Sequence, residues 1–248
     1  LSRREIFIYE NDRRIGGART DNMAPFQKRT NIVVVKENST GLREKGLDEM
    51  IPAVLKGIVE PLSVVDQFKL VRSGEQSRLI YEGRERKQIL KLMSEGETSP
   101  RPSLGLSSYF AISELVDAIG PRGVVLVVSG SLSEEAFAPY GLNKIVQYAN
   151  AQQIQIHVVS FEQDQDLIPF YQSLAKRTGG EYMRSFDETA VKNLYANIRK
   201  NTDNRYIVTY DSLAGESLKD RYVDVRVEIH FQNTSGVGDG GFFVPGEM

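Results

Sequence analysis

The chain has 248 residues, of which 40% are hydrophobic and 26% are charged, a composition typical of one large globular domain or of one domain with a small partner. The 31 Lys and Arg residues nearly balance the 33 Asp and Glu residues, which argues against electrostatic binding to nucleic acid or to an anionic membrane surface. The absence of cysteine excludes disulfides, thiolate metal sites and cysteine nucleophiles, and two histidines exclude a histidine-rich metal site. No apolar run approaches the roughly 20 residues of a membrane helix.

The first half of the chain alternates apolar runs with polar turns. A run of β-branched residues at 32–35 predicts a strand buried on both faces, as in a parallel sheet. The next two apolar runs are separated only by a short turn at 73–75, which leaves no room for a crossover helix and predicts an antiparallel hairpin. In chain order we expect a strand at 6–9, a strand at 32–35, a helix at 44–59, strands at 68–71 and 78–81, a helix at 85–93 and a loop at 98–105.

The second half repeats a strand–helix unit. In chain order we expect a helix at 110–119, a strand at 124–128, a helix at 142–151, a strand at 154–161, a helix at 167–177, a strand at 182–183 and a helix at 191–198. Short connections between such elements imply right-handed crossovers. The predicted fold class is therefore α/β, with a Rossmann-like, doubly wound, mostly parallel central sheet flanked by helices.

The two ends of the chain have a different pattern. Segments 206–210 and 222–231 alternate apolar and polar residues, which is the period of half-exposed antiparallel strands. We expect a small β element built from both termini. The predicted division is an N-terminal β segment at 1–28 that packs with the C-terminal strands, an α/β domain at 29–203, and a C-terminal β-hairpin and tail at 204–248.

Four motifs follow one another along the chain: IVVVKENSTGL at 32–42, GLSSYFAISEL at 105–115, VVLVVSG at 124–130 and LAKRTGGEYMRS at 174–185. Their order resembles a von Willebrand factor type A domain of the bacterial VWFA-related kind. In that family the first segment runs into Asp-x-Ser-x-Ser, the second has a threonine ahead of a helix, and the third ends in Asp-Gly. The fourth segment matches the family's Leu-Ala-x-x-Thr-Gly-Gly-x-Tyr and is the most specific of the four. The resemblance covers about residues 30 to 210.

The resemblance implies a divalent-cation site at the C-terminal edge of the sheet, and this sequence departs from the family pattern there. The first Asp aligns with Glu37, the first Ser is kept as Ser39, the second Ser aligns with Gly41, the Thr is best matched by Ser107, and the Asp before Gly is replaced by Ser129. A hard cation needs negative charge from its ligands, and a single displaced carboxylate supplies little of it. We therefore expect a degenerate metal site with no metal and no cofactor. The alternative is a cation-dependent adhesion site that holds Mg²⁺ or Ca²⁺ through Glu37, Ser39 and Ser107.

Two further signals resemble catalytic or nucleotide sites, and both favour a structural interpretation. The segment 236–241 matches G-x-G-x-x-G, but the chain ends too soon for the helix that such a phosphate loop needs, so we expect a flexible turn. Ser131 or Ser133 is expected to cap a helix rather than to act as a nucleophile. His157 lies in an apolar run and is expected to be a core histidine.

The acidic residues Glu162, Asp164 and Asp166 follow a predicted core strand. Carboxylates near a helix N-terminus are favoured by the helix dipole, so we interpret this cluster as a solvated helix start. Because it lies at the same sheet edge as Glu37 and Ser129, it could also belong to a recognition surface.

These considerations predict a non-enzymatic protein–protein interaction module, an adhesion or scaffold domain. Its partner would be another protein, in an envelope assembly or at the cell surface of a bacterium, with the chain in an extracytoplasmic compartment and neither nucleic-acid binding nor membrane insertion within this chain. The residues expected to face the partner are Lys36, Asn38, Arg43, Ser131, Glu162 and Asp164. Lys36 or Arg43 would replace part of the charge of a metal. The alternative from another class is a nucleotide-binding enzyme, although segment 37–43 holds one glycine where phosphate loops hold several.

Overall fold

The computed structural model describes residues 4–22, 29–161, 166–200, 206–213, 222–231 and 234–243. The chain forms two compact units, one made of Leu1–Met23 with Arg205–Met248 and the other of Ala24–Asn204. The strands are β1 (Arg4–Glu10), β2 (Arg13–Ile15), β3 (Arg19–Asn22), β4 (Asn31–Glu37), β5 (Gln67–Ser73), β6 (Ser77–Gly83), β7 (Arg122–Val128), β8 (Gln155–Ser160), β9 (Tyr182–Arg184), β10 (Tyr206–Thr209), β11 (Tyr222–Phe231) and β12 (Thr234–Phe243). The helices are α1 (Thr40–Glu44), α2 (Ile51–Val59), α3 (Arg86–Ser94), α4 (Leu104–Ser113), α5 (Gly141–Ala151), α6 (Ile168–Arg177) and α7 (Glu188–Lys200), with a short 3₁₀ helix at Glu134–Phe137.

The larger unit is built on a six-stranded sheet with the order β6-β5-β4-β7-β8-β9. All neighbouring strands are parallel except β5 and β6, which form the expected antiparallel hairpin. The α/β fold class predicted from the sequence is confirmed. Every residue of β4 is buried, as its unbroken β-branched sequence predicts for a central strand.

The two faces of this sheet are covered by different helices. Ile32 and Val34 belong to a buried cluster with α2, α3 and α7, whereas Val33 and Val35 belong to a second cluster with α4, α5 and α6. Because successive residues of a strand point to opposite faces, this assignment also fixes the faces of the residues that follow them on β4. Lys36 shares the first face, and Glu37 shares the second.

Two helices differ from the sequence prediction. The helix expected at 44–59 begins only at Ile51, as α2, because Gly46 adopts a left-handed backbone with φ +66° and Pro52 lies in the first turn of α2. A separate short helix, α1, ends at Glu44. The helix expected at 110–119 is α4, which begins at Leu104, and the loop predicted up to 105 is shorter. Ser103 caps α4 by accepting the Leu106 N–H at 3.4 Å.

The smaller unit has two sheets, one with the order β12-β11-β1-β2 and one that pairs β10 with β3. The terminal strands pair with each other, since β1 lies antiparallel to β11 with Ile8 opposite Val227. The flexible turn expected at 236–241 is wrong, because this segment lies within β12 and pairs with β11 in an antiparallel ladder. The ladder supplies main-chain hydrogen bonds that a glycine-rich segment alone does not have. In the part of the chain that the structure describes, no helix is long and apolar enough to span a bilayer.

Candidate functional site

The sequence-predicted site lies at the C-terminal edge of the six-stranded sheet, where β4 and β7 end side by side. The two strands are parallel, with Lys36 opposite Val127, so that Glu37 and Ser129 come together although they are far apart in sequence. This is the edge at which open α/β sheets generally bind ligands.

The carboxylate of Glu37 is completely buried and is held by hydrogen bonds from both sides. The Ser39 hydroxyl donates to Oε1 at 2.5 Å, and the Ser129 backbone N–H donates to Oε2 at 2.7 Å. The Ser129 hydroxyl lies 2.9 Å and 3.1 Å from the two carboxylate oxygens and 2.9 Å from the hydroxyl of Ser131. Hydrogen bonds to an ionised acceptor are stronger than neutral ones, so Glu37 ties the end of β4 to the loop after β7.

The other aligned positions serve local structure. Ser39 is the N-cap of α1, and its hydroxyl oxygen accepts the Leu42 N–H at 3.0 Å. Gly41 is exposed in the first turn of that helix, and it offers no side-chain ligand. Ser107 is buried on α4 and its hydroxyl lies 2.8 Å from that of Ser77 on β6.

This donor set fits a divalent cation poorly. Glu37 is the only carboxylate at the aligned positions, and its charge is already shared with the Ser39 and Ser129 hydroxyls, whereas a hard cation needs negative charge from its ligands. Among the described residues, no group of three or more His, Asp or Glu side chains is placed to hold a metal ion. Of the alternative set, Glu37 and Ser39 bond to each other at the end of β4, whereas Ser107 bonds to Ser77 on β6.

Two of the residues expected to face a partner are buried, which corrects that expectation. Lys36 is 0% exposed and its ammonium lies 3.5 Å from the Glu95 carbonyl oxygen; burial lowers the pKa of Lys36 to about 8. Asn38 is 2% exposed, and its backbone bonds to Ser73 and Ser99. The loop after β4 is covered there because segment 97–100 runs alongside it, whereas the sequence pattern placed both residues in an open loop.

The remaining predicted residues divide into three groups. Arg43 is half-exposed and pairs with Asp48 at 3.0 Å, and Ser131 is exposed beside Ser129. Ser133 precedes the 3₁₀ helix without capping it through its side chain, so the capping prediction is wrong for Ser133: this segment makes one 3₁₀ turn instead of an α-helix. Glu162 and Asp164 lie outside the described residues.

His157 is a core histidine, as its apolar surroundings predict. It is 1% exposed, and its Nδ1 accepts the Glu181 N–H at 3.2 Å. Burial lowers the pKa of His157 to about 4, which keeps the imidazole neutral near neutral pH.

The sequence reasoning missed Ser73 and Ser77, which flank the turn between β5 and β6. Ser73 is buried and lies opposite Glu37 in the parallel pairing of β4 and β5, while Ser77 contacts Ser107. The available signal was that both strands meet the turn in a serine, but the register that places Ser73 opposite Glu37, and Ser77 opposite Ser73, is a property of the folded sheet.

The sequence matches no protein-family model and no curated protein. Solved structures with a similar fold include an aerotolerance-related membrane protein from Bacteroides fragilis, with a TM-score of 0.54 and 13% identity over 69% of this chain and 99% of that chain. A von Willebrand factor type A protein from Catenulispora acidiphila has a TM-score of 0.50 and 11% identity over 99% of this chain and 74% of that chain. Proximal thread matrix protein 1 from the mussel byssus has a TM-score of 0.51 and 10% identity, over 78% of this chain and 50% of that chain. The chain therefore has the von Willebrand factor type A fold.

Proposed function

We propose that this chain is a non-enzymatic protein–protein interaction module that works without a bridging metal ion. The observation that carries the proposal is the bonding of Glu37, whose carboxylate accepts hydrogen bonds from Ser39 and Ser129 at the sheet edge where a cation would have to bind. A carboxylate that already accepts these hydrogen bonds has less to gain from a metal than one without partners.

The non-enzymatic part of the proposal is supported by accessibility. A serine nucleophile must be reached by its substrate and needs an adjacent base. Ser131 and Ser133 are exposed, but the imidazole of His157 is buried in the core and cannot serve either of them as a base. The glycine motif at 236–241 is a strand rather than a phosphate loop, which removes the main sequence argument for nucleotide binding.

We place the protein in an extracytoplasmic compartment of a bacterium, with another protein of the cell envelope as its partner. The similarity in fold to an aerotolerance-related membrane protein supports this location. Loops at the C-terminal edge of the sheet would make the contact, because exposed polar residues such as Ser131 and Arg101 lie in them.

The metal-free part is tested by calorimetric titration of Mg²⁺, Mn²⁺ and Ca²⁺ into the chelator-treated chain. We expect no binding heat and no shift of the melting temperature. Saturable binding that is lost in Glu37→Gln, with Ser39→Ala as a second variant in case the first does not fold, would overturn the proposal in favour of the cation-dependent adhesion site.

The interaction itself is tested by photo-cross-linking in envelope fractions. A cross-linking amino acid is introduced at Ser131, at the proposed surface, or at Asp117, an exposed residue that follows α4 near the start of β7 at the opposite edge. We expect a discrete protein adduct from position 131 and none from position 117. Equal adducts from both positions, or none from position 131, would contradict the proposed surface.

A further inference from the structure

Three cationic side chains form a row across the larger sheet. Lys36 on β4 lies opposite Arg72 on β5, and Arg72 lies opposite Arg78 on β6. Residues directly opposite one another share a face of the sheet, and like charges in that position destabilise the pairing. Such a row calls for compensating negative charge.

The groups of the chain that contact these positive charges are mostly uncharged carbonyl groups. The Glu95 carbonyl oxygen accepts from Lys36 at 3.5 Å and from Arg72 at 3.3 Å, and the Gly96 carbonyl accepts from Arg43. Carbonyl groups carry no net charge, and the nearby Asp48 pairs with Arg43. The row therefore keeps an excess of positive charge.

Two guanidinium groups of this row retain unused donors. The Arg72 Nε is buried and has no hydrogen-bond partner. Arg78 is exposed and forms neither an ion pair nor a side-chain hydrogen bond within the part of the chain that the structure describes. A buried donor without a partner is costly, so an acceptor that reaches the Arg72 Nε would be bound with a gain in free energy, and the exposed Arg78 guanidinium is free to bind the same group.

Both arginines line one cavity of about 390 Å³, which we call the arginine cavity. Its other lining residues are Gly74, Glu75, Gln76, Glu97, Thr98, Ser99 and Pro100. Glu75 and Glu97 are exposed, and neither lies within ion-pair distance of an arginine among the described residues. The lining thus combines two guanidinium groups, two exposed carboxylates that pair with neither arginine, and amide and hydroxyl groups.

We propose that the arginine cavity binds a carboxylate side chain of an acidic partner protein, with Arg72 and Arg78 as the donors. Guanidinium groups bind carboxylates in a bidentate geometry that a lysine does not provide. Arg72 and the Glu37 site lie at the same edge of the sheet but on different faces, since Arg72 is opposite Lys36 and Ser73 is opposite Glu37. The inference rests on the proposed protein–protein function and specifies the chemistry of the partner.

The test is calorimetric titration of a short glutamate-rich peptide into the full chain, with a glutamine-rich peptide of equal length for comparison. We expect saturable binding of the acidic peptide only, weakened at least about tenfold by Arg72→Gln with Arg78→Gln, which corresponds to about 1.4 kcal/mol. The control is Lys56→Gln with Lys144→Gln, which removes the same charge from two exposed residues that do not line the cavity. This control should leave the affinity unchanged.

Several results would overturn the inference. Absence of binding, or equal loss in both double variants, would show that no specific carboxylate site exists. Inorganic phosphate that binds at the arginines and excludes the peptide at equal concentration would show a site for small anions instead. If the double variant does not fold, Arg78→Gln alone decides, because that side chain is exposed.

The two proposals fail separately. Cross-linking from position 131 that persists in the arginine double variant would leave the interaction module intact and reject the arginine cavity as its contact. Arginine-dependent peptide binding without any adduct from position 131 would reject the proposed surface and keep the cavity.

Discussion

Lys36 and Glu37 are consecutive, charged and completely buried at the end of β4, and the alternation of the strand sends them to opposite faces of the sheet. Glu37 is compensated by hydroxyl and N–H donors that stabilise its charge. Lys36 has a carbonyl group and lies near two arginines, and burial lowers its pKa to about 8. The buried charge of Glu37 is therefore stabilised by hydrogen-bond donors, whereas the buried charge of Lys36 is surrounded by further positive charge.

Replacement of Glu37 by glutamine is expected to destabilise the chain. The amide would place an N–H₂ group near donors from Ser39 and Ser129, so at least one donor loses its acceptor, at a cost of about 1–3 kcal/mol. Urea unfolding measures the change, with Glu44→Gln as a control because Glu44 is exposed at the end of α1. Equal unfolding midpoints for the two variants would contradict a role of Glu37 in joining β4 to β7.

His157 is expected to make stability depend on pH. Its pKa is about 4 in the folded chain and 6.5 when the imidazole is exposed to water, so between these values the unfolded chain binds more protons. Stability is therefore highest above pH 6.5 and falls as the pH decreases towards 4, by about 2–3 kcal/mol from this residue.

The pH effect of His157 is isolated by comparing the chain with His157→Gln. Urea unfolding of both proteins is measured at pH 7 and pH 4.5. The carboxyl groups contribute equally to the pH dependence of both proteins, so their contribution cancels in the comparison. We expect the difference in unfolding free energy between the two pH values to be smaller in the variant. An identical pH dependence would show that the imidazole accepts a proton in the folded state.

At the scale of elements, all six strands of the larger sheet were predicted, whereas β2, β3 and β12 of the smaller unit were not. The runs at 32–35 and 124–128 are strands because β-branched residues fill a sheet covered on both faces. Helix α4 was placed too late because the buried positions of its first turns hold Gly105, Ser107 and Ser108 instead of large apolar residues, so hydrophobicity does not mark the buried face there. Its start depends on Ser103 and on packing against the rest of the domain.

The candidate site was predictable only in part. Glu37, Ser39 and Ser129 could be singled out from their positions at strand ends, but their mutual hydrogen bonds depend on the parallel register of β4 and β7. The burial of Lys36 depends on segment 97–100 and on α3, which no local pattern specifies. The strand character of 236–241 likewise depends on its partner β11.

Strand β12 provides a prediction from two of its glycines. A side chain at Gly238 would meet no atom within 4 Å and would lie opposite Val227, whereas a side chain at Gly241 would overlap with the Val223 carbonyl oxygen. Gly238→Thr is therefore expected to stabilise the hairpin by up to about 1 kcal/mol, and Gly241→Thr to destabilise it.

Hydrogen exchange of the β11 amides measures this difference locally. Protection should increase in Gly238→Thr and decrease in Gly241→Thr, because exchange reports the opening of the pairing between β11 and β12. Equal protection in both variants would mean that β12 does not pair as described.

At the scale of the whole molecule, the hydrophobic cores define what can fold alone. The two large buried clusters of the α/β unit are formed entirely by residues between Ile32 and Ile198, and the strand pairs of its sheet lie in the same range. The smaller unit is made from both ends of the chain, with β1 paired to β11. The polypeptide therefore passes from one part of the smaller unit to the other only by way of the larger unit.

A fragment of residues 29–203 is therefore expected to fold by itself. It keeps both cores and also the network in which Asp66 accepts the Thr30 N–H at 2.7 Å and the Tyr195 hydroxyl at 2.7 Å. We expect cooperative thermal unfolding and a midpoint within a few degrees of the corresponding transition of the full chain. A fragment of residues 38–203 is the control, because it lacks the central strand β4 and should not unfold cooperatively. If residues 29–203 unfold without cooperativity, the terminal β segments are part of the folding unit, and the chain must be treated as one domain.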